Sequence, residues 1–299
     1  MQTLTRRRLI LTLASTALPL TAAAAAPLHD ALAALEARSG GRLGLAVSDG
    51  TRLAGHRVDE RFALCSTFKL PLAAAVLQRC ARGDWAPDRW VPFSEADRVP
   101  HAPVTGPRMA AGGMPLLALA EAAQRTSDNV AANVLLKLLD GPAGFTAWLR
   151  AQGDTVTRVD RYEPDMNEVP AGSPQDTTSP AAMAALVGRI FSPAGLDAAS
   201  QATLRQWLQA TRTGQRRLRA GLPAAWATGD KTGTGLGAGR PDRIHDVAVV
   251  WPGPGRPVWT VAAYFDGPQQ GSPRVRAADE AVLAQAGRLA ARWLSGRLG

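Results

Sequence analysis

The chain has 299 residues, 46% hydrophobic and 20% charged, ordinary values for a globular enzyme and enough length for one large domain or two smaller ones. Its net charge is +9, or about +6 without the three arginines of the leader, but the basic residues are scattered and not interleaved with aromatics, which argues against a nucleic-acid surface. Only three of the 34 basic residues are lysine, at 69, 137 and 231. In a chain that uses arginine for generic positive charge, each remaining lysine is a candidate for work that needs a compact cation able to lose its proton.

Residues 1–26 read as an export signal: Arg6, Arg7 and Arg8, an apolar run from Leu9 to Leu20, then small residues to Ala26. The run is too short to span a bilayer. Thr5-Arg6-Arg7-Arg8-Leu9-Ile10 has the form of a twin-arginine signal. The expectation is therefore a folded protein delivered to the periplasm, without a lipid or membrane anchor. Residues 28–38 carry Leu28, Leu32 and Leu35 on one helical face. Segments 42–48 and 52–58 alternate apolar and polar around Asp49-Gly50, a hairpin signal. Helical stretches follow at 66–81, 116–122, 128–139, 142–152, 180–191 and 198–212, separated by Pro- and Gly-rich loops. Strand character returns at 225–231, 244–251 and 257–265, and an amphipathic helix closes the chain at 274–296.

This order predicts an α+β fold, an α–β sandwich. An antiparallel five-stranded sheet built from both chain ends (27–60 and 213–299) carries the terminal helices, residues 61–212 form an all-helical domain, and a site lies in the cleft between. Cys65 and Cys80 fall in one predicted helical stretch. Fifteen residues of helix span roughly 22 Å, while a disulfide needs Cα atoms within about 7 Å, so two free thiols are expected.

Three short motifs carry chemistry. Ser66-Thr67-Phe68-Lys69 sets a serine at a helix start, where backbone N–H groups favour negative charge, with a lysine three residues on, on the same face. A serine hydroxyl is a weak nucleophile until a neighbouring base takes its proton, and a partly desolvated lysine can serve. Ser127-Asp128-Asn129 precedes a helix and could merely cap it. Lys231-Thr232-Gly233 ends a strand, where glycine permits close approach of a ligand. Each motif alone is weak. All three in this order resemble the signature of class A β-lactamases and penicillin-binding proteins, over about residues 28–297. A fourth stretch, Arg161-Tyr162-Glu163-Pro164-Asp165-Met166-Asn167, resembles the catalytic loop (161–176) of the class A branch.

The resemblance implies Ser66 as nucleophile, with Lys69, or Glu163 through a water, as the acylation base. Ser127 passes a proton to the departing nitrogen, and Glu163 with Asn167 holds and activates the deacylating water. Backbone N–H groups of Ser66 and Thr234 form the oxyanion hole. Asn129, Lys231, Thr232, Gly233 and Thr234 contact substrate, and Arg161 pairs with Asp176 to close the loop. Arg217 replaces the arginine that many members carry where this chain has Ile244, and His101 takes a cleft wall position that is commonly aromatic. Gly235 stands where some members have a cysteine partner for Cys65. The stretch from Leu236 to His245 looks longer than the usual hairpin turn. The implied activity is hydrolysis of penicillins and cephalosporins by a monomer without cofactor or metal, since His29, His56, His101 and His245 lack metal-ligand spacing. The alternatives are a D,D-peptidase, which lacks a deacylating glutamate, and a non-hydrolytic penicillin sensor domain, which needs a membrane anchor. A generic serine esterase would be expected to show a G-x-S-x-G elbow.

Overall fold

A computed structural model describes residues 26–298. But for Ala26, the predicted leader lies outside the described residues. Helix α1 (Ala26–Ser39) leads into β1 (Arg42–Ser48) and β2 (Leu53–His56). Helices α2 (Lys69–Ala81), α3 (Leu116–Thr126), α4 (Asn129–Leu138), α5 (Gly141–Ala151), α6 (Pro180–Ile190) and α7 (Ala198–Ala210) form the central block. The short α8 (Leu218–Gly221), strands β3 (Ala227–Gly235), β4 (Pro241–Trp251) and β5 (Trp259–Gln270), and α9 (Ala277–Leu294) complete the chain. Two small ladders, Phe62–Ala63 with Thr177–Thr178 and Trp90–Pro92 with Gly113–Pro115, were not foreseen, because two or three residues are too few for alternation to show.

The sheet has the order β2-β1-β5-β4-β3, all neighbours antiparallel. The two chain ends therefore meet at its centre, with Leu45 opposite Ala263. Its strands alternate, and each face is buried against helices. Leu43, Leu45 and Val47 of β1 and Val261, Ala263 and Phe265 of β5 pack with Leu28, Leu32 and Leu35 of α1 and Val282, Leu283 and Ala286 of α9. The opposite face, through Val247, Val249, Ala262 and Tyr264, joins the larger core of the helical block. Burying a single leucine of this kind stabilises by about 1.5–3 kcal/mol.

Local chemistry sets the helix boundaries. Asp128 accepts from Ala131 N at 2.9 Å to cap α4. Ser179 caps α6 ahead of Pro180, and Asp197 accepts from Ala199 N and Ser200 N to cap α7; such caps contribute typically ~1 kcal/mol each. Helix α3 runs on to Thr126 and stops at Ser127, which is left-handed at φ 60°. The expected helix over 66–81 begins later. Cys65–Phe68 is a 3₁₀ turn, and α2 starts at Lys69. Cys65, at φ 42°, thus lies outside the α-helix, and both cysteines are free thiols.

The hairpin after β3 is also shorter than expected. The β3–β4 ladder runs to Gly235 opposite Arg243, and β4, paired with β5 from Pro241, leaves only residues 236–240 outside the strands and places Ile244 and His245 inside β4. Pro241, Asp242 and Arg243 give no apolar alternation, so the start of the strand is invisible in the pattern.

Candidate active site

Of six non-glycine residues with positive φ among the described residues, four (Cys65, His101, Ser127 and Asp176) carry or flank the predicted site residues. Left-handed backbone at non-glycine positions persists only where its surroundings hold it, and it clusters at functional sites. Here it turns the 3₁₀ turn of Ser66, the end of α3 and the catalytic loop toward one cleft.

That cleft has a volume of about 490 Å³, and its lining includes Ser66, His101, Ser127, Asn129, Glu163, Asn167, Arg217, Thr232 and Thr234. Lys69 and Lys231 are wholly buried beneath it. Lys69 Nζ donates to Ser66 Oγ (3.0 Å), to Ser127 O (2.9 Å) and to Asn129 Oδ1, and lies 2.9 Å from Glu163 Oε1. Ser66 Oγ donates to Glu163 Oε1 at 3.2 Å. Asn167 Nδ2 donates to Glu163 Oε2 at 2.6 Å, while Asn167 Oδ1 has no partner among the described residues. Lys231 Nζ donates to Ser127 Oγ at 3.1 Å and to Thr232 O at 2.7 Å.

Burial is the largest influence on the titrating groups. It pushes Lys69 below the ordinary lysine value, opposed by the Glu163 carboxylate. Burial would raise Glu163, but the Lys69 charge and the hydrogen bonds from Lys69, Asn167 and Ser66 outweigh it and hold the carboxyl below its usual range. Lys231 falls to about 7, through burial first and the neighbouring Lys69 charge second. Stability should carry this signature. The folded Lys231 sheds its proton near pH 7 and the unfolded one near 10.5, so the unfolded state binds more protons in between and stability rises with pH across that window. The slope is at most about 1.4 kcal/mol per pH unit. Urea unfolding between pH 7 and 10 should show a shallower rise for Lys231→Met than for the parent, and identical slopes would refute the assignment.

Other predicted residues are placed as follows. Arg217 is buried; it donates to Gly233 O and His245 O, each at 2.8 Å, and to Thr234 Oγ1 at 2.8 Å, with Glu280 3.5 Å from its Nε. His101 Nε2 lies 3.0 Å from Thr126 O on the exposed wall. Asn129 Nδ2 donates to Pro100 O at 2.9 Å, so its side chain is tied at both ends. Arg161 Nε donates to Asp176 Oδ2 at 2.7 Å, closing the loop as expected. Gly233 does not line the cleft. A Cβ there would sit 3.0–3.2 Å from Thr67, Leu64 and Cys65, so the missing side chain leaves room for the nucleophile turn.

Sequence reasoning missed Thr213, Val275 and Glu280 in the cleft wall. It also missed Asn133, which donates to Glu163 O (2.8 Å) and accepts from Glu163 N (2.9 Å). An asparagine in the apolar pattern of α4 was the only signal available for it. No group of three or more His, Cys, Asp or Glu side chains able to hold a metal occurs among the described residues.

Gly235 offers a direct test of local geometry. A Cβ added there would lie 3.0 Å from Cys65 Sγ. Across a disulfide with an S–S bond of ~2.04 Å, each Cβ lies about 3.0 Å from the partner sulfur. Gly235→Cys should therefore leave one free thiol, Cys80, after oxidative refolding, where the parent has two. It should also gain a few degrees of thermal midpoint that a reductant removes. Three titratable thiols in the denatured variant would refute the geometry.

Comparison with known proteins agrees with these observations. The β-lactamase enzyme family matches residues 27–294. The chain is 44% identical over 297 residues to β-lactamase L2 of Stenotrophomonas maltophilia, covering 94% of each chain. It is 43% identical to β-lactamase FAR-1 of Nocardia farcinica, covering 86% of this chain and 79% of the relative. Among solved structures it is similar to an ancestral (GNCA) class A β-lactamase, with 49% identity, TM-score 0.80 and coverage of 88% and 98%. A β-lactamase from Burkholderia vietnamiensis has 42% identity, TM-score 0.83 and coverage of 91% and 97%. With a serine, two buried lysines and a loop glutamate around one cleft on this fold, the chain belongs to the class A serine β-lactamases.

Proposed function

We propose that this enzyme hydrolyses the β-lactam ring of penicillins and cephalosporins through an ester on Ser66, conferring resistance to them. The observation that carries the reading is the mutual contact of Ser66 Oγ, Lys69 Nζ and Glu163 Oε1, with Asn167 on the other carboxylate oxygen. In acylation, Ser66 Oγ attacks the lactam carbonyl carbon. Its proton passes to the Lys69–Glu163 pair, in which each charge shifts the other's titration. Backbone N–H groups of Ser66 and Thr234 are assigned to the developing oxyanion. The C–N bond then breaks, and Ser127, hydrogen-bonded to Lys231, delivers a proton to the nitrogen.

In deacylation, Glu163 takes a proton from a water that Asn167 Oδ1 orients, the water oxygen attacks the ester carbonyl, and Ser66 recovers its proton. Lys231, Thr232, Thr234 and Arg217 receive the substrate carboxylate, Asn129 faces the side-chain amide, and His101 forms the wall. The contact of Glu163 with the Ser66 hydroxyl favours this reading over a D,D-peptidase or a sensor domain.

Two hydrophobic clusters, one under the terminal helices and one in the helical block, support a division into an α/β domain (27–60 and 213–299) and a helical domain (61–212). The residues of the leader support export to the periplasm by the twin-arginine route, and we take the mature enzyme to be a monomer. No helix among the described residues is long and apolar enough to cross a membrane.

The test is a chromogenic cephalosporin in large excess over enzyme. Many turnovers per Ser66 are expected. A stoichiometric burst that then stops would replace this reading with the sensor or peptidase.

A further inference from the structure

The catalytic loop is attached at two points to the hairpin that carries the substrate-binding strand. Arg243, near the start of β4, is buried, with only 6% of its surface exposed. Its Nη1 donates to Asn167 O and its Nη2 to Val169 O, each at 2.7 Å. No carboxylate lies within ion-pair distance of it among the described residues. Asp266, its cross-strand partner in β5, pairs instead with Arg42. A buried guanidinium is unfavourable unless its donors are satisfied, and here two loop carbonyls satisfy them. Further out, Arg240 in the connection between β3 and β4 makes a forked ion pair with Glu168, between those two carbonyls.

Two sides of the reaction centre meet across this attachment. Arg243 stands opposite Gly235, and its neighbour Ile244 stands opposite Thr234, whose N–H is assigned to the oxyanion. On the other side, the carbonyl that Arg243 holds belongs to Asn167, whose side chain bonds Glu163.

We propose that Arg243 is a positioning residue for deacylation: by tying the Asn167 and Val169 carbonyls to β4, it sets the distance between the water-activating Glu163–Asn167 pair and the acyl carbonyl held beside Thr234. Arg240, partly buried and paired with the exposed Glu168, is an outer brace on the same loop. The inference rests on the roles assigned to Glu163 and Asn167 above. Acylation depends on Ser66, Lys69 and Glu163, which α2, the 3₁₀ turn and the clamp of Asn133 on the Glu163 backbone position without Arg243. Loss of Arg243 therefore falls on the second half of the reaction.

The experiment is stopped-flow acylation and deacylation of a cephalosporin by Arg243→Ala and Arg243→Lys, normalised to Ser66 titrated as active enzyme, with intact-protein mass spectrometry of the quenched steady state. Deacylation should fall about 10- to 100-fold in Arg243→Ala, the scale at which sub-ångström to ångström misplacement acts. Acylation should stay within about threefold, so kcat and KM fall together and acyl-enzyme accumulates. Arg243→Lys, which can still reach one carbonyl, should recover part of the loss even if Arg243→Ala does not fold. Arg240→Ala should fall between parent and Arg243→Ala, with a deficit that moderate salt does not deepen because its ion pair is already gone.

Unchanged deacylation, or acylation and deacylation falling by the same factor, would overturn the proposal. Glu163→Gln serves as the reference. If it traps the acyl-enzyme while the Arg243 variants deacylate normally, the positioning role is wrong and the mechanism stands. If it turns over normally, the mechanism itself is wrong.

Discussion

Glu163→Gln should acylate once and stop, leaving a stable adduct on Ser66 that intact-mass measurement detects, with kcat reduced by about 10³-fold or more. Glutamine keeps the shape and can still meet Ser66 and Asn167, but it cannot take a proton from water. The persistence of acylation follows from the other half of the pair. In the parent the Glu163 carboxylate opposes the effect of burial on Lys69. Without that charge, burial lowers Lys69 further, and the free amine that remains can deprotonate Ser66. The parent's pH profile should report the same group. The active form is the carboxylate, and Glu163 is held below its usual range. Deacylation is therefore lost only as pH falls below the ordinary glutamate value of about 4.3. Turnover by Glu163→Gln within tenfold of the parent would sink the assignment.

The site was legible where residue type and spacing carry the chemistry directly. Ser66 with Lys69, Ser127 with Asn129, and Lys231 with Thr232 and Thr234 arrive at one cleft because Ser66 sits in a 3₁₀ turn, Ser127 at a left-handed helix stop, and Lys231 to Thr234 on β3, the edge strand of the sheet. The sheet was legible because β1 alternates apolar with small or polar residues and β5 carries a short continuous apolar run, Val261 to Phe265. Residues that act through position were hidden. Arg243 is one of 31 arginines, and nothing in a string of letters separates a guanidinium that holds two carbonyls from one in solvent. Asn133 reads as a polar interruption of an apolar helix. The packing reason for Gly233, which lets β3 pass close over the nucleophile turn, was equally hidden. Such features depend on which segments cross in space, and local pattern does not encode that crossing.

Lys69→Met should slow acylation of Ser66 by about 10³-fold or more, the scale of losing a base beside a hydroxyl nucleophile. Lys69 is the hub of the cluster, joined to Ser66, Ser127, Asn129 and Glu163 with none of its surface exposed. Methionine preserves length and apolar volume but leaves the Glu163 carboxylate buried without its cation. The first cause that holds Glu163 down then disappears, while burial, which raises it, remains. Whatever activity survives should therefore need a higher pH, with its acid limb displaced upward from that of the parent. Lys69→Arg separates charge from proton transfer. A guanidinium keeps Glu163 ionised and its acid limb low, but it does not deprotonate in this range. It should therefore acylate slowly like the methionine variant. Parent-like acylation by Lys69→Arg would show that the ammonium serves only as a charge and that Glu163 alone takes the serine proton. An unshifted acid limb in Lys69→Met would show that the two groups do not titrate as a pair.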